Sequence, residues 1–323
     1  LALIVDEDTP NALPNLDFKI MQGNSLLENY KGVDLSGLLP SDVAVTKRKA
    51  KQCKLELGKN AQSVSQGELA FGGDSAAEII TAKMRQYYSE TNHQTKKSLM
   101  CDIGEQVNGF IKAQINNSTL NAEIDSLGPQ NDKFFLWHTW FNDAFANGGF
   151  DIVIGNPPYI KEYVCKAAFD GFREVSPYYM GKMDLWYGFA CHGIDMLAPH
   201  GQLCFIAQNN WTTSAGAKKM RKKVMADTRI VQMLDFNEYM VFSDDNPGGP
   251  QIQTMIMQFE KDSAVDDYAV DVRMLLSGAR RAEANLMLSK ETSPMICYLS
   301  PRIKRERLMA ATITFTSADD GLI

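Results

Sequence analysis

The chain has 323 residues, of which 45% are hydrophobic and 22% are charged, a balance that is typical of a globular protein with a sizeable core. This composition excludes a collagen, a coiled-coil rod and a wholly disordered chain, and no apolar run approaches the roughly 18 residues that a membrane span needs. The formal net charge of −6 argues against a protein that coats nucleic acid through bulk charge, and it leaves room for a local basic face.

The first residues lack an initiator methionine and the basic region of a signal peptide. An apolar run followed at once by acids predicts the end of a helix over residues 1–9, so we expect an internal fragment of a longer protein. Asp17–Met21 then predicts a short strand, and the small residues Gly23, Asn24 and Ser25 predict the turn that closes it.

Residues 43–132 have a different character. A run of lysines and a loop rich in Gly, Ser and Gln are followed, from Ala76 to Asn117, by apolar residues at helical spacing. We predict a mostly helical insertion here, whose function the sequence does not indicate.

Beyond residue 133, predicted strands alternate with predicted helices. The strands lie at residues 150–154, 203–207, 230–236 and 253–259, and the helices at 184–197 and 214–226. This alternation is typical of an α/β sheet. After about residue 261 the pattern thins, and we expect another domain to begin there.

The tetrapeptide Asn156-Pro157-Pro158-Tyr159 follows, after Gly155, the strand Phe150–Ile154, which is the clearest buried strand that the sequence predicts. In an open α/β sheet, ligands bind outside the carboxyl ends of strands, and the tetrapeptide falls there. Two successive prolines stiffen the loop and remove two N–H donors. The Asn156 side-chain oxygen and the Pro157 carbonyl can then accept the two N–H bonds of a planar amine, while the Tyr159 ring stacks on its face.

Such a loop suits the amine of adenine, which is a poor nucleophile because its lone pair is delocalised into the ring. Two acceptors would draw the nitrogen toward tetrahedral geometry and aim its lone pair at an electrophilic methyl group, so positioning and electrostatics suffice without a strong base. The target base would first have to leave the duplex. A Pro-Pro turn that merely caps a strand is the alternative interpretation.

The segment Phe150–Ile160, F-D-I-V-I-G-N-P-P-Y-I, resembles the catalytic motif of N6-adenine DNA methyltransferases of the γ arrangement, most closely the type IIG restriction-modification enzymes. The resemblance covers most of residues 1–42 and 133–260. It implies a partial Rossmann-like methyltransferase sheet, double-stranded DNA as the partner and S-adenosylmethionine as the cofactor. Four further segments are similar to other motifs of that family: Leu13–Leu27 and residues 182–190, 201–211 and 234–242.

The resemblance also implies roles for individual side chains. The loop Asn156–Tyr159 would be catalytic, and Phe242 would pack with Tyr159 against the flipped base. Tyr239 is the runner-up for that role, and a core aromatic is the alternative for both.

The cofactor site departs from the family's pattern. A Gly-rich loop and an acidic residue should lie upstream of Asp17, and the glycine-rich stretches elsewhere do not stand between a strand and a helix. We therefore expect half a site, in which Asn24 and Ser25 contact the adenine ring of S-adenosylmethionine and Asn156 lies beside it. A plain turn is the alternative for Asn24.

These observations divide the chain into a methyltransferase core at residues 1–42 and 133–262, the insertion at 43–132, and the start of a target-recognition region at 263–323. Two basic clusters could lie along a DNA backbone, and a solvated face is the alternative for each. They are Lys218, Lys219, Arg221, Lys222 and Lys223, and Arg302, Lys304, Arg305 and Arg307.

Other site classes find little support in the sequence. Six cysteines are spread along the chain without a CxxC pair, which is typical neither of a disulfide scaffold nor of a zinc ribbon and suits the reducing cytoplasm. The four histidines show no metal-like spacing, so no metal site is predicted. No GxSxG, HExxH, Walker or PD…ExK nuclease motif occurs.

Three functions remain open. The first is a site-specific DNA adenine-N6 methyltransferase of a type II restriction-modification enzyme, present as a fragment that is inactive by itself. The second is a protein-glutamine N5-methyltransferase, which uses the same tetrapeptide on a planar amide; the insertion and the extension beyond residue 260 count against it. The third is a non-catalytic DNA-binding or scaffolding fragment. The sequence indicates neither the recognised DNA site, nor a fused nuclease, nor the oligomeric state.

Overall fold

The structure is a computed structural model that describes residues 16–36, 76–243, 249, 251–263, 267–304 and 313. The chain divides into two compact units, Leu1–Asn142 and Asp143–Ile323. Helices dominate the described part of the first unit, and a six-stranded sheet forms the second. The chain is therefore an α/β protein, as its sequence predicts.

The described part of the first unit contains a hairpin of two-residue strands, β1 (Asn29–Tyr30) and β2 (Val33–Asp34), which pair antiparallel. Within residues 76–141, the structure describes the helices α1 (Ala76–Ser89), α2 (His93–Ile115), α3 (Ser118–Leu127) and α4 (Trp137–Trp140).

Two asparagines set where α2 and α3 begin. The side chains of Asn92 and Asn117 each accept hydrogen bonds from two backbone N–H groups of the following turn, which would otherwise lack partners. The helical pattern predicted from Ala76 onward is confirmed, while residues 43–75 lie outside the described part of the chain. Fully buried aliphatic side chains at helical spacing join the helices: Ile80, Ile103, Val107, Ile111 and Ile124.

The strand predicted at Asp17–Met21 is wrong, because these residues form a turn. Phe18 has a φ of 58°, which lies in the left-handed region and cannot continue a strand. The Phe18 ring is instead buried against the rings of Tyr87 and Trp140, at centroid distances of 5.4 and 5.8 Å. Contacts with residues far along the chain therefore override the local pattern.

The second unit alternates strands with helices. Helix α5 (Asn142–Ala146) begins at the last residue of the first unit. The remaining elements in chain order are β3 (Phe150–Gly155), α6 (Phe172–Val175), α7 (Leu185–Met196), β4 (Leu197–Gln208), α8 (Lys218–Asp227), β5 (Arg229–Asp235), β6 (Thr254–Glu260), β7 (Asp267–Ala269), β8 (Asp271–Leu275), α9 (Arg281–Leu288), β9 (Ile296–Leu299) and β10 (Arg302–Lys304).

The six-stranded sheet has the order β3-β4-β6-β5-β8-β9. Strand β4 is parallel to β3 and antiparallel to β6, and β5 is antiparallel to β6 and parallel to β8. The strands β3, β4, β5 and β8 therefore run in one direction, and their carboxyl ends meet at one edge of the sheet. This is the edge at which open α/β sheets bind ligands.

Strand β3 forms where the sequence predicts it, but it is not buried. It pairs with β4, and in the described part of the chain it has no second neighbour. Alternate side chains of a strand point to opposite faces. Val153 packs toward α7: if Gly193 carried a side chain, its Cβ would lie 3.3 Å from Cγ1 of Val153. Ile152 and Ile154, on the other face of β3, are 69% and 79% exposed.

The sheet continues beyond residue 262, where the sequence pattern thins. Strand β8 adds to β5 in parallel, and β9 pairs with β8. The boundary predicted near residue 263 stays a prediction, because it concerns what the segment does rather than where its strands lie. Within the described ranges, no helix is long and apolar enough to cross a membrane.

Candidate functional site

The Asn156–Tyr159 loop leaves the carboxyl end of β3. Asn156 and Pro158 are exposed, Pro157 is buried, and Tyr159 is partly buried. A Cβ on Gly155 would lie 3.1 Å from the Phe205 ring on the neighbouring strand, so a small residue is favoured at the point where the strand becomes the loop. The result is an exposed side-chain amide on a stiff support.

The Tyr159 side chain folds back over the sheet edge. Its hydroxyl lies 2.9 Å from Oδ1 of Asn156 and 2.9 Å from the backbone carbonyl of Ile206, in β4. Burial, with a further contribution from the negative charge of Asp184, raises the pKa of Tyr159 to about 12. The phenol therefore keeps its proton at neutral pH and remains a hydrogen-bond donor.

Phe242 lies beside Tyr159, as predicted for the two rings that would flank a base. Their centroids are 6.3 Å apart and the planes are inclined by 54°. Tyr239, the runner-up, is inclined by 40° to Phe236 at 6.4 Å and packs against the buried cluster around Leu234. Their roles toward a base stay predictions.

A short two-stranded contact fixes the segment that follows the loop. The N–H of Leu185 donates to the carbonyl of Ile160 at 2.9 Å, and the N–H of Glu162 donates to the carbonyl of Met183 at 3.0 Å. The Glu162 carboxylate also accepts from the N–H of Lys182 at 2.6 Å. The start of α7 therefore braces the loop on the side opposite β3.

Asp184 is the least expected residue of the site. Its side chain is 3% exposed, and neither carboxylate oxygen makes an aligned hydrogen bond. Burial raises its pKa to about 6, although nearby backbone N–H groups and Lys161 partly oppose the shift. The sequence predicts a helix that begins at Asp184, but nothing in the local sequence indicates that its carboxyl is buried.

Polar side chains also follow β4 and β5 at the same sheet edge. Asn209 donates to Asp235 Oδ1 at 3.2 Å, and the N–H of Asn237 donates to the same oxygen at 2.9 Å. Asn210 accepts from the Tyr187 hydroxyl at 3.2 Å. Burial raises the pKa of Asp235. These residues are not among the predicted site residues, although the polar run Q-N-N at residues 208–210, directly after a predicted strand, is a signal for them.

Asn24 and Ser25, the predicted cofactor residues, lie in the first unit. The side-chain oxygen of Asn24 accepts the N–H of Leu26 at 3.2 Å, and the Ser25 carbonyl accepts the indole N–H of Trp137 at 3.0 Å. Both residues are partly exposed. The predicted turn is therefore present, and contact of these residues with a cofactor stays a prediction.

The basic run on α8 mostly makes contacts within the protein. Arg221 is buried and donates to the carbonyls of Trp211 and Ser214 at 2.5 and 2.6 Å. Lys219 donates to two carbonyls, and Lys223 pairs with Asp195 and Asp227. Arg221 is therefore not available to a phosphate, and Lys223 is partly neutralised by two acids. Lys218, Lys219 and Lys222 are exposed, and their contact with a DNA backbone stays a prediction.

The second basic cluster is only partly described. Arg302 pairs with Asp267 across the β7–β10 contact, at 3.1 Å. The side chain of Lys304, together with Arg305 and Arg307, lies outside the described residues.

Comparison with known proteins adds to this geometry. Residues 78–242 match the Eco57I restriction-modification methylase family. The chain is similar to the type II methyltransferase M.BstVI of Geobacillus stearothermophilus, with 26% identity over 145 residues that cover 45% of this chain and 24% of that protein. It is also similar to the type II methyltransferase M.XhoI of Xanthomonas vasicola, with 29% identity over 178 residues that cover 54% and 30%.

Among solved structures, the chain is similar to the type I restriction-modification system methyltransferase subunit from Streptococcus thermophilus. The identity is 16%, the TM-score is 0.34, and the alignment covers 55% of this chain and 39% of that one. The chain thus spans only part of the length of the proteins that it matches.

Proposed function

The chain belongs to the Eco57I restriction-modification methylase family, and from this premise we propose that it carries the target-base side of an S-adenosylmethionine-dependent methyltransferase that acts on the N6 amine of adenine in double-stranded DNA. The observation that carries the proposal is the exposed Asn156 amide on its proline-stiffened loop, next to the paired rings of Tyr159 and Phe242. As part of a restriction-modification system, the protein would act in the cytoplasm and protect the DNA that the system's endonuclease cuts.

The loop suits an amine bonded to a flat ring. The N6 amine of adenine offers two N–H donors, and the loop offers two acceptors, the Asn156 side-chain oxygen and the Pro157 carbonyl. When both accept, the nitrogen lone pair is withdrawn from the ring and turned out of its plane, so the nitrogen becomes a better nucleophile. Fixed dipoles achieve this without a general base, which is electrostatic preorganisation.

The two rings suit a base that has left the duplex. A base between two aromatic rings needs about 7 Å between them, because each stacked contact takes about 3.5 Å. Tyr159 and Phe242 are 6.3 Å apart and inclined by 54°. A base would enter by turning Phe242 away from Tyr159, since the Ile206 carbonyl holds the Tyr159 hydroxyl. Flipping of the target base out of the duplex would bring it to this position.

The residues fit part of the cofactor. S-adenosylmethionine supplies an electrophilic methyl group on a sulfonium sulfur. Asn24 offers a partly exposed side-chain amide held in a turn, which matches the donors and acceptors of an adenine edge. Within residues 16–36 and 76–142, no strand leads through a glycine-rich loop into a helix.

Of the other functions, protein-glutamine methylation would use the same loop on a planar amide. The match to a restriction-modification family over residues 78–242, which includes the helices of the first unit, favours DNA. A role as a non-catalytic DNA-binding fragment predicts DNA binding without methyl transfer at any site.

The test uses the complete gene product that carries these residues. It is incubated with S-adenosylmethionine and either unmodified duplex DNA or release-factor protein, and the products are digested and identified by mass spectrometry. We expect N6-methyldeoxyadenosine in the DNA and an unmodified protein. Methylated cytosine, methylated glutamine, or DNA binding without any methylated product would each contradict the proposal.

A further inference from the structure

The hydroxyl of Tyr159 stands between two oxygen atoms. The backbone carbonyl of Ile206 and Oδ1 of Asn156 are each 2.9 Å from it. A phenol has one proton and can donate one good hydrogen bond, so one of these two short contacts would bring lone pairs against lone pairs.

The two acceptors differ in their freedom to change. The Ile206 carbonyl belongs to β4, just beyond Phe205, the last residue of β4 that pairs with β3. This carbonyl can only accept a hydrogen bond. The Tyr159 hydroxyl lies where β3 no longer provides a backbone N–H to donate to β4. The Asn156 side chain, in contrast, can exchange Oδ1 and Nδ2 by a half-turn about its Cβ–Cγ bond, and the hydrogen-bond network decides which atom stands where.

We propose that Tyr159 is a positioning residue whose hydroxyl orients the Asn156 amide. The hydroxyl donates its proton to the Ile206 carbonyl and accepts a hydrogen bond from Nδ2 of Asn156. The amide is thereby held with Oδ1 turned away from Tyr159, toward the exposed side where the target amine would arrive. This inference rests on the proposed function for the identity of the amine, but the orientation itself does not.

The orientation matters because the target amine is itself a donor. With Oδ1 bonded to Tyr159, Asn156 would offer an NH₂ group to another NH₂ group, and the site would repel its substrate. With Nδ2 bonded to Tyr159, each hydrogen bond in the series from the Ile206 carbonyl through Tyr159 and Asn156 to the target amine pairs one donor with one acceptor. The raised pKa of Tyr159 keeps the phenol protonated, so this series of hydrogen bonds persists at neutral and mildly alkaline pH.

Neutron diffraction from a deuterium-exchanged crystal of the complete gene product reads the orientation directly, because it separates an amide ND₂ group from an oxygen. We expect the ND₂ group of Asn156 to face Tyr159, and the Tyr159 deuterium to point at Ile206. An amide oxygen facing Tyr159 overturns the inference. This result does not depend on which substrate is methylated, so it is separate from failure of the proposed function.

Kinetics test the consequence of the orientation. Tyr159→Phe keeps the ring but removes the hydroxyl, and we expect single-turnover methyl transfer to fall about tenfold or more while flipping of a fluorescent adenine analogue changes by less than about twofold. Equal losses in both signals would mean that the hydroxyl acts through stacking, and transfer within about twofold of wild type would mean that it has no role. Either result overturns the inference.

A carboxylate at position 156 sharpens this test, because its two oxygens are equivalent and need no orientation. In an Asn156→Asp background, adding Tyr159→Phe should therefore cost less than about a third of what it costs in the wild-type background. Equal costs in the two backgrounds would contradict an orienting role. If Asn156→Asp shows no methyl transfer, the orienting role of Tyr159 is decided by the neutron structure and by Tyr159→Phe in the wild-type background.

Discussion

The backbone N–H of Leu185 donates to the carbonyl of Ile160 across 2.9 Å, and this bond joins the first residue of α7 to the residue that directly follows Tyr159. The loop at Asn156 is therefore held on both sides, by β3 before it and by the start of α7 after it. Such support is what a preorganised site needs, since small displacements of positioned groups are costly to a reaction.

The brace itself depends on close packing at Gly216. A Cβ at this position would lie 2.5 Å from the carbonyl oxygen of Lys182 and 2.9 Å from Cα of Met183. We expect Gly216→Ala to push this segment away from the loop and to lower the free energy of unfolding by about 2 kcal/mol, as other overpacked sites do. Denaturant unfolding monitored by circular dichroism checks this.

Gly109→Ala is the matched control. Gly109 is exposed on α2, and a Cβ there meets nothing within 4 Å. Alanine should raise the stability of this helix by up to about 1 kcal/mol, because glycine is the poorer helix former. If Gly216→Ala were as stable as Gly109→Ala, the close packing behind the loop would be refuted.

Asp184 predicts a pH dependence of stability. Its pKa in the folded chain is raised to about 6 because burial disfavours the charged form. Between about pH 4 and pH 6 the unfolded chain therefore loses a proton that the folded chain keeps, and stability falls by about 3 kcal/mol as the pH rises through this window. Above that window the loss stays constant, and below it the contribution is fully restored.

Asp184→Asn should remove this dependence. The variant should be more stable than wild type by about 3 kcal/mol at pH 7, and the difference should vanish below about pH 4. Asp151→Asn, at an exposed position on β3, provides the comparison. Chemical unfolding across the pH range measures both, and a constant difference between wild type and Asp184→Asn would show that the carboxyl is not titrating as described.

Arg221 and Lys222 should behave differently although they are neighbours on one basic helix. Arg221→Ala removes the buried guanidinium that donates to the carbonyls of Trp211 and Ser214, so we expect a loss of about 3 kcal/mol in the free energy of unfolding. Lys222→Ala changes an exposed side chain and should cost less than about 0.5 kcal/mol. Thermal unfolding of both variants measures these two losses in stability. If Arg221→Ala lost no more stability than Lys222→Ala, the structural role of Arg221 would be contradicted.

Phe242 should contribute to holding the base. Phe242→Ala removes one face of the ring pair, and the loss of base stacking is worth about 1–3 kcal/mol, which corresponds to about 5-fold to 150-fold in the equilibrium for base flipping. Fluorescence of an adenine analogue at the target position measures this equilibrium. Leu288→Ala, which removes a side chain that is 48% exposed on α9, should leave the signal unchanged. Unchanged flipping in Phe242→Ala would exclude the stacking role.

The part of the site that the sequence predicts is the part that local chemistry determines. The stiff loop of Asn156 and its place after a strand follow from adjacent residues. The proximity of Phe242 to Tyr159 follows from the family motif, because both segments stand at the carboxyl ends of strands. The alternation of strands and helices likewise indicates the α/β sheet.

The rest depends on contacts between distant residues. The burial of Asp184 arises because residues 183–185 pair with residues 160–162, which no local pattern reveals. Phe18 adopts a left-handed turn because it packs against Tyr87 and Trp140. The apolar run of β3 predicts a buried strand, yet in the described residues Ile152 is 69% exposed, since apolar character shows what a strand can bury and not what covers it.

The most direct test of the account is the effect of Asn156→Ala on methyl transfer, separated from DNA binding, in the complete gene product. The variant loses the side-chain acceptor for the amine, and we expect single-turnover transfer to fall by about 100-fold or more while the dissociation constant for duplex DNA changes by less than about threefold. Asn285→Ala, the same substitution on the exposed face of α9, should transfer methyl groups at the wild-type rate. Transfer by Asn156→Ala at the rate of Asn285→Ala would contradict the central claim that the Asn156 amide activates the target amine.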